Sequence, residues 1–361
     1  MTSELTVVFK PTRDCNLRCK YCSVGDPASL YLSKEDAEII VKKIIKRKSV
    51  SKTKFIWHGG EPLLAGLSFY EHIVRIQEPL KKKGARIVNV VQTNGTLIND
   101  DWAEFFKKNN FGVGLSIDGP EEINNLTRVF SKNIGAFGRI EKGSEILKTH
   151  GVNHGYLVVV SRYNVERIDE IIDFMKKEKK TFKLVAVSPI GRAADAKSKV
   201  MMEGNNFSTS QLKLFERWLK EGDDVLRSAL WKYIVPILTR VPIECIFSKN
   251  CQEYYLGVDC NGDTYPCGRF CGSEKFLFGN LLNHSFEEVW KHPRRLKLLK
   301  RPEKLKKCHK CRYFNICNGG CPMQALCGNG SIYREDYNCD QYYKIFSEIE
   351  RTIKHESGLR H

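Results

Sequence analysis

Short apolar runs alternate with amphipathic stretches along the first two thirds of the chain. Runs rich in β-branched and aromatic residues are typical of strands, whereas apolar residues that recur at i, i+3 and i+4 are typical of helices. The predicted strands cover residues 5–10, 54–58, 87–92, 111–117, 155–160 and 182–187. The predicted helices between them cover residues 33–48, 67–83, 100–109, 136–149 and 165–178. This succession predicts βαβ units, a parallel sheet and an α/β fold of the partial (β/α)6 TIM barrel type.

The alternation stops near residue 190. Residues 191–208 are polar and contain Gly, which predicts a loop, and further helices are predicted at 209–221, 224–239 and 340–355. The chain is Cys-rich and irregular from residue 240, which predicts a small domain held together by metal rather than by a core. We therefore expect three regions. They are a barrel domain at 1–235, a Cys-rich domain with little regular structure at 236–343, and a C-terminal helix and tail at 344–361.

Composition narrows the class of protein. With 361 residues, of which 42% are hydrophobic, the chain can bury a sizeable core. We expect no membrane span, because no apolar run reaches about 18 residues, and no secretory signal, because the N-terminus lacks a basic-then-apolar layout. The chain reaches its first strand within a few residues, so we expect no leader-binding domain ahead of it. A content of fourteen Cys then favours metal ligands over disulfides, in a reducing, cytoplasmic and anaerobic setting.

The net charge of +17 leaves several partners open. Most basic residues fall on predicted helices, which is typical of solvated faces. The densest stretch, 291–312, holds eleven Lys and Arg against one acid, Glu303. It can be a plain basic surface, or a docking site for an acidic electron donor (flavodoxin or ferredoxin) or an acidic peptide. Nucleic acid is the least favoured partner, because no recognition module accompanies the charge.

Three cysteines, Cys15, Cys19 and Cys22, lie in CNLRCKYC directly after the first predicted strand. They can hold three irons of a cubane and leave the fourth without a protein ligand, whereas iron–sulfur clusters otherwise take four Cys. An open position is typical of a catalytic metal. The loop, with Tyr21 before its last Cys, resembles the signature of radical S-adenosylmethionine (SAM) enzymes. The resemblance implies that SAM binds the open iron and is cleaved to a 5′-deoxyadenosyl radical. A zinc site or scattered thiols is the alternative.

Motifs at the ends of the next strands resemble the SAM site of the same superfamily. HGGEP (58–62) follows the second strand, and its two glycines allow close approach of backbone to a ligand, here the amino group of SAM. QTNGT (92–96) and LSIDGP (115–120) end the third and fourth strands, and Arg128 could pair with the SAM carboxylate in a bidentate manner. A turn role for Asn94 and Asp118 and a surface role for Arg128 stay open. The residues that the resemblance places at SAM are Tyr21, Gly59, Gly60, Glu61, Pro62, Asn94, Ser116, Asp118 and Arg128.

The C-terminal cysteines have a spacing that suits a zinc ribbon poorly, although another zinc cluster stays open. They resemble the SPASM domain, an auxiliary-cluster domain of radical SAM enzymes that modify peptides and proteins. The resemblance implies two fully ligated clusters, and so three 4Fe–4S clusters in the chain. The implied ligands are Cys245, Cys251, Cys267 and Cys321 for the nearer auxiliary cluster, and Cys308, Cys311, Cys317 and Cys339 for the farther one. Cys260, Cys271 and Cys327 remain, and we predict that they are buried small hydrophobes, with an active-site role as the alternative for Cys271.

Within the superfamily, KPTRDCNLRCKYC, QTNGTLI and LSIDGP look similar to anaerobic sulfatase-maturating enzymes, which oxidise Cys or Ser to formylglycine. In those enzymes an Asp that serves as the base follows the YPC motif, whereas Gly268 follows it here. That departure favours a maturase of ribosomal peptides (RiPPs) that forms a thioether or carbon–carbon bond. We therefore predict a radical SAM oxidoreductase acting on a peptide or protein, with Tyr21, Tyr265 and Cys271 as candidates to line its site. The alternatives are sulfatase maturation, dehydrogenation of a sugar or alcohol, and a basic zinc or cluster protein that binds RNA.

Overall fold

The computed structural model describes residues 4–47, 52–82, 85–195, 199–204 and 206–356. Its strands are β1 (Glu4–Phe9), β2 (Lys52–Trp57), β3 (Arg86–Thr93), β4 (Gly112–Ser116), β5 (His154–Val160), β6 (Phe182–Ala186), β7 (Tyr255–Val258), β8 (Asp263–Tyr265) and β9 (Gly279–Asn280). Its first eight helices are α1 (Lys34–Ile45), α2 (Leu67–Lys82), α3 (Asp100–Lys108), α4 (Glu121–Asn124), α5 (Phe137–Thr149), α6 (Ile168–Glu178), α7 (Asn206–Glu221) and α8 (Asp224–Thr239). The C-terminal helices are α9 (Phe286–Trp290), α10 (Pro293–Leu299), α11 (Phe314–Cys317), α12 (Pro322–Asn329) and α13 (Cys339–Glu356).

The described strands form one sheet in the order β6-β5-β4-β3-β2-β1-β7-β8-β9. Strands β1 to β6 are parallel throughout, with Val7 opposite Phe55 and Phe55 opposite Asn89. The predicted partial barrel is therefore confirmed. β7 pairs in parallel with β1, and β8 and β9 follow antiparallel, so the Cys-rich region continues the barrel sheet at its β1 edge.

The core lies between the sheet and its helices. Burial alternates strictly along β2 and β5, as expected of strands with one face against helices and the other toward the barrel interior. Trp57 shows the packing, because its ring stacks on Phe55 at 5.6 Å and meets the edge of Tyr70 on α2 at 5.6 Å. α1 starts where Ser33 accepts a hydrogen bond from the Asp36 amide, 3.0 Å from its Oγ.

Regular elements of the barrel lie where the apolar periodicity predicts them. The differences concern short helices, the start of α7, and strands β7, β8 and β9 of the Cys-rich region, which were not predicted. α4 and the short helices α9–α12 were not predicted, and α7 begins at Asn206, inside the predicted loop. The predicted boundary between residues 235 and 236 falls inside α8, and the division into three regions stays a prediction. Residues 357–361 of the predicted tail lie outside the described residues. None of the helices in the described part of the chain is long and apolar enough to cross a bilayer.

Candidate functional site

The cysteine loop after β1 packs directly against the glycine turn after β2. The Gly60 amide donates to the Thr12 carbonyl at 3.2 Å, and the Glu61 amide donates to the Asp14 carbonyl at 2.7 Å. A Cβ at Gly60 would lie 1.9 Å from the Asp14 oxygen, and one at Gly59 would lie 2.4 Å from the Thr12 oxygen. Only glycine permits this approach at either position. The Gly60 and Glu61 N–H groups bind the loop and the Gly59 N–H binds His58 Nδ1, whereas the two glycine carbonyls accept no hydrogen bond from any described residue.

Glu61 fastens this turn to the end of β3. Its buried carboxylate accepts hydrogen bonds from Thr93 Oγ1 at 2.6 Å, from the Asn94 amide at 2.7 Å and from the Leu63 amide at 3.0 Å. Burial raises its pKa to about 7, although these donors oppose the shift. Asn94 Nδ2 lies 3.9 Å from the Cys15 sulfur. The predicted SAM-site residues Glu61 and Asn94 are thus brought to the cysteine loop, Glu61 as a brace for the turn.

Asp118 joins Tyr21 and Arg128 in one buried network. Its carboxylate accepts hydrogen bonds from the Tyr21 hydroxyl, from Thr127 Oγ1 at 2.9 Å and from Arg128 Nη2 at 3.3 Å. The Arg128 guanidinium lies over the Tyr21 ring, 5.4 Å from its centroid. Burial raises the pKa of Tyr21 well above its ordinary value, so its hydroxyl remains a donor. Asp118 therefore fixes the other two side chains, while Ser116 stands apart at the end of β4 and accepts from Gln92 Nε2 at 3.0 Å.

The thiols of the cysteine loop lie within electrostatic range of one another. Burial raises the pKa of Cys15 to about 12, and the charges of Glu61, Cys19 and Cys22 add to the shift. Burial also raises the pKa of Cys19 to about 11, although Arg128 opposes it. Buried thiolates need a cation beside them. An iron–sulfur centre supplies that charge, and these three residues could hold it.

The predicted nearer set, Cys245, Cys251, Cys267 and Cys321, comes together between β7, β8 and the start of α12. Burial raises the pKa of Cys245, Cys251 and Cys267 to about 12, and in each case thiols of the same set add to the shift. The predicted farther set, Cys308, Cys311, Cys317 and Cys339, is grouped in the same way. Burial raises the pKa of Cys339 to about 12, with Cys308 adding, and Cys308 and Cys317 are raised with contributions from other members of the set.

Two guanidinium groups lie among these cysteines. Arg269 Nη1 is 3.9 Å from the Cys321 sulfur. Arg301 is buried and faces the charges of Cys321, Cys251 and Cys308, which belong to both sets. Cations placed among thiols fit anionic clusters bound there. Among the described residues, no three His, Cys, Asp or Glu side chains converge closely enough to hold a single metal ion.

The space beside Gly268 contains three residues that the sequence analysis did not single out. A Cβ at Gly268 would lie 2.5 Å from Val8 Cγ1 and 4.0 Å from Lys10 Cε. His58 faces Lys10 and Arg269; burial lowers its pKa to about 4, with these two charges adding. Its Nδ1 accepts from the Gly59 amide at 2.6 Å, which leaves Nε2 as the donor of a neutral ring. Lys10 and His58 stand in the motifs KPTRDCNLRCKYC and HGGEP, and Arg269 directly follows Gly268. Their places at strand ends were the signal that could have identified them.

Of the other candidates, Tyr265 is buried and Cys271 is partly buried near Lys10 and Asp259. Cys260 is buried as predicted. Cys327 is exposed on α12, so the prediction of a buried small hydrophobe is wrong there, because the residue falls on the outer face of its helix.

Comparisons with known proteins agree with this architecture. The family model of the Radical SAM superfamily matches residues 9–175. The model of the SPASM family, described as an iron-sulfur cluster-binding domain, matches residues 245–312. The cysteine-type anaerobic sulfatase-maturating enzyme of Clostridium perfringens (strain 13 / Type A) is 29% identical over 357 residues, covering 95% of this chain and 95% of that enzyme. The serine-type enzyme of Bacteroides thetaiotaomicron is 29% identical over 387 residues, covering 96% of this chain and 89% of that one.

Solved structures give the same result. Native anSMEcpe with bound AdoMet and Cp18Cys peptide superposes with a TM-score of 0.87 at 26% identity, covering 99% of this chain and 100% of that chain. Streptococcus suis SuiB bound to precursor peptide SuiA has a TM-score of 0.68 at 19% identity, covering 93% of this chain and 76% of that one, which shows the fold alone.

These findings favour sulfatase maturation, the alternative predicted from the sequence, over the peptide-crosslinking prediction, which they do not specifically support. The two domains imply SAM and 4Fe–4S clusters as cofactors, and three clusters fit the sulfatase maturases. The chain therefore belongs to the radical SAM superfamily, carries a SPASM domain, and is an enzyme closely related to the anaerobic sulfatase-maturating enzymes.

Proposed function

We propose that the protein oxidises a Cys side chain of a peptide or protein substrate to formylglycine. The observation that carries this proposal is the match over nearly the whole chain, through both domains, to sulfatase-maturating enzymes, one of them with a peptide bound. In the balanced reaction the side chain –CH2–SH loses one hydrogen atom, one electron and one proton to give a thioaldehyde. Water then replaces the sulfur, which leaves as hydrogen sulfide, and the aldehyde remains.

The residues of the barrel mouth would hold the cofactors. Cys15, Cys19 and Cys22 would bind three irons of one cluster, and the free carbonyls of Gly59 and Gly60 would accept from the amino group of SAM. Arg128, held in place by Asp118, would present its guanidinium to the SAM carboxylate. Asn94 would contact SAM beside the cysteine loop, and Ser116 at the end of β4. When bound, SAM and its cluster supply the radical that abstracts hydrogen.

Lys10 would take over part of the task of the missing base. No side chain can extend from Gly268 without meeting Val8, so a base cannot be restored there by the backbone as it stands. Lys10 is buried beside this position, and its ammonium makes no ion pair or hydrogen bond with any described residue. A nearby cation favours the charged form of a thiol. The substrate Cys would then bind as its thiolate and need no base, whereas a Ser hydroxyl is too weak an acid for this route.

A matched pair of peptides tests the proposal. The reduced enzyme, reconstituted with iron and sulfide, is incubated with SAM and either the Cp18Cys peptide or its Ser counterpart. We expect the Cys peptide to exchange its sulfur for oxygen, lose two hydrogen atoms, and form a hydrazone with an aldehyde probe. The Ser peptide should react far more slowly. Release of 5′-deoxyadenosine while both peptides keep their mass would contradict the proposal.

Peptide crosslinking is the second candidate, and Gly268 is the observation that favours it. A crosslinked peptide loses two hydrogen atoms, retains its sulfur and gives no aldehyde adduct. The same mass measurement on a peptide encoded beside the gene therefore separates the two activities.

We also propose that an acidic electron donor docks on the basic face of residues 291–312, in a cytoplasmic setting. The exposed cations of this stretch are Lys291, Arg294, Lys297, Lys300, Lys304, Lys306, Lys307, Lys310 and Arg312. Such a field raises association rates and is screened by salt. Replacement of Lys306 and Lys310 by Glu should slow reduction of the enzyme by a flavodoxin or ferredoxin at low salt. Reduction of the enzyme by dithionite should be unchanged. Equal rates of reduction by the protein donor in the variant and in the wild type would contradict the proposal.

A further inference from the structure

Arg269 stands between the barrel mouth and the nearer cysteine set. Its guanidinium approaches the Cys321 sulfur, with Nη1 at 3.9 Å, and on its other side its charge acts on His58. In the described part of the chain no carboxylate forms an ion pair with it; Asp336 is the acid within electrostatic range. Burial opposes its charge, but the charges of Cys321, Cys245 and Cys267 outweigh burial and raise the pKa of Arg269. The negative partner of this cation is therefore the cysteine set itself.

Arg301, the other guanidinium near the cysteines, has a different environment. Its guanidinium donates hydrogen bonds to five backbone carbonyls, those of Ile332, Asn318, Gly319, Gly320 and Arg334. Those bonds join the chain before α12 to the chain after it, which is a structural role. Arg269 has no comparable set of backbone partners among the described residues, so its contribution is mainly its charge.

We propose that Arg269 is a positioning residue that raises the reduction potential of the nearer auxiliary cluster, so that this cluster accepts the electron lost by the substrate. The inference rests on the proposed function for the ligand set and for the direction of electron flow. A reduced cluster carries one more negative charge than an oxidised one, and a fixed cation stabilises the reduced form. Net charge and hydrogen bonds to the sulfurs are the protein's means of setting such potentials. Arg269 provides both at Cys321, at the side of the set that faces the barrel mouth.

A potentiometric titration of the full-length, reconstituted enzyme, followed by electron paramagnetic resonance, tests this. In Arg269→Gln we expect one auxiliary midpoint to fall by at least a tenfold change in the one-electron equilibrium constant, about 59 mV. The other clusters should keep their midpoints. Arg269→Lys should stay closer to the wild type than Arg269→Gln does. Lys275→Gln, which removes an exposed cation a few residues later in the same segment, is the matched control and should change nothing.

An unchanged midpoint in Arg269→Gln, or an equal shift in Arg269→Lys, would overturn the proposal. If Arg269→Gln fails to bind the nearer cluster, iron analysis of Arg269→Lys decides. If Arg269→Lys binds the nearer cluster and keeps the wild-type midpoint, the charge of Arg269 is what matters. If both variants lose the cluster, Arg269 has a purely structural role and the proposal is overturned. The potential is measured without substrate, so a shift would stand even if no formylglycine formed. Failure of the proposed function and failure of this inference are therefore distinguishable.

Discussion

Arg13 and Asp259 form an ion pair that ties the cysteine loop of the barrel to the end of β7 in the Cys-rich region. Arg13 Nε lies 3.0 and 3.1 Å from the two carboxylate oxygens, and Asp259 is fully buried. Asp259→Asn leaves the Arg13 charge without its partner, and hydrogen bonds between charged groups contribute more than neutral ones. We expect a loss of about 2 kcal/mol in the free energy of unfolding, measured by urea denaturation. The exposed pair Arg162–Glu203 is the control: Glu203→Gln should cost less than about 1 kcal/mol. Equal losses in both variants would contradict a special role for the buried pair.

The same pair predicts an acid-sensitive contribution to stability. Burial alone would raise the pKa of Asp259, but the hydrogen bonds from Arg13 and the charges of Lys10 and Arg13 outweigh it and lower the pKa. A carboxyl whose folded pKa lies below its unfolded value, about 3.9, stabilises the fold fully above that value. The contribution is lost as the pH falls through the folded pKa. We expect the stability difference between wild type and Asp259→Asn to be constant near neutral pH and to shrink below about pH 4. A difference that grows on acidification would contradict this sign.

We expect the substitution Gly60→Ala to remove the cluster of the cysteine loop selectively. An alanine Cβ there would overlap the Asp14 backbone, with 1.9 Å to its oxygen and 2.5 Å to its carbonyl carbon, so the cysteine loop must move. The auxiliary sets lie elsewhere and should keep their iron. Iron analysis of Gly60→Ala should fall from about twelve to about eight irons per chain. Gly138→Ala, in helix α5 with no atom within 4 Å of the added carbon, should retain all of them. Full iron in Gly60→Ala would show that the loop accommodates the methyl group.

The apolar periodicity was sufficient for the barrel because each strand and helix has a long buried face. The cysteine sets were predicted from the resemblance of the C-terminal cysteine pattern to the SPASM domain, which is visible because most of these residues lie in short stretches of the chain. The cations around Gly268 did not follow, because Lys10, His58 and Arg269 meet only when three separate strand ends converge. Each of them alone resembles an ordinary polar residue in a motif. The exposure of Cys327 was equally hidden, since it depends on which face of α12 packs inward.

We expect Lys10 to determine how the rate of the proposed reaction depends on pH. In the wild type its ammonium should keep the substrate thiol ionised at neutral pH. In Lys10→Met the thiol should return to its ordinary pKa of about 8.5 and be ionised to only about 3% at pH 7, so formylglycine formation at that pH should fall roughly thirtyfold and recover as the pH rises. The measurement is kcat/KM against pH with the Cys peptide. Lys108→Met removes an exposed cation from α3 and should leave the profile in place. A Lys10→Met profile that is lower at every pH but unchanged in shape would show that Lys10 only supports the structure.

We expect substitution of Cys339 and substitution of Cys327 to have opposite effects on the iron content, although both residues lie on C-terminal helices. Burial and the charge of Cys308 raise the pKa of Cys339 to about 12, so Cys339 lies near another member of the predicted farther set, whereas Cys327 is exposed and is not in either predicted set. Cys339→Ala should therefore lose the farther cluster and about four irons, and Cys327→Ala should lose none. Because the cysteine loop lies on the barrel, Cys339→Ala should still release 5′-deoxyadenosine when dithionite is the reductant. A loss of that release together with the iron would mean that the farther cluster is required to assemble the SAM site, and that the two regions do not bind their clusters independently.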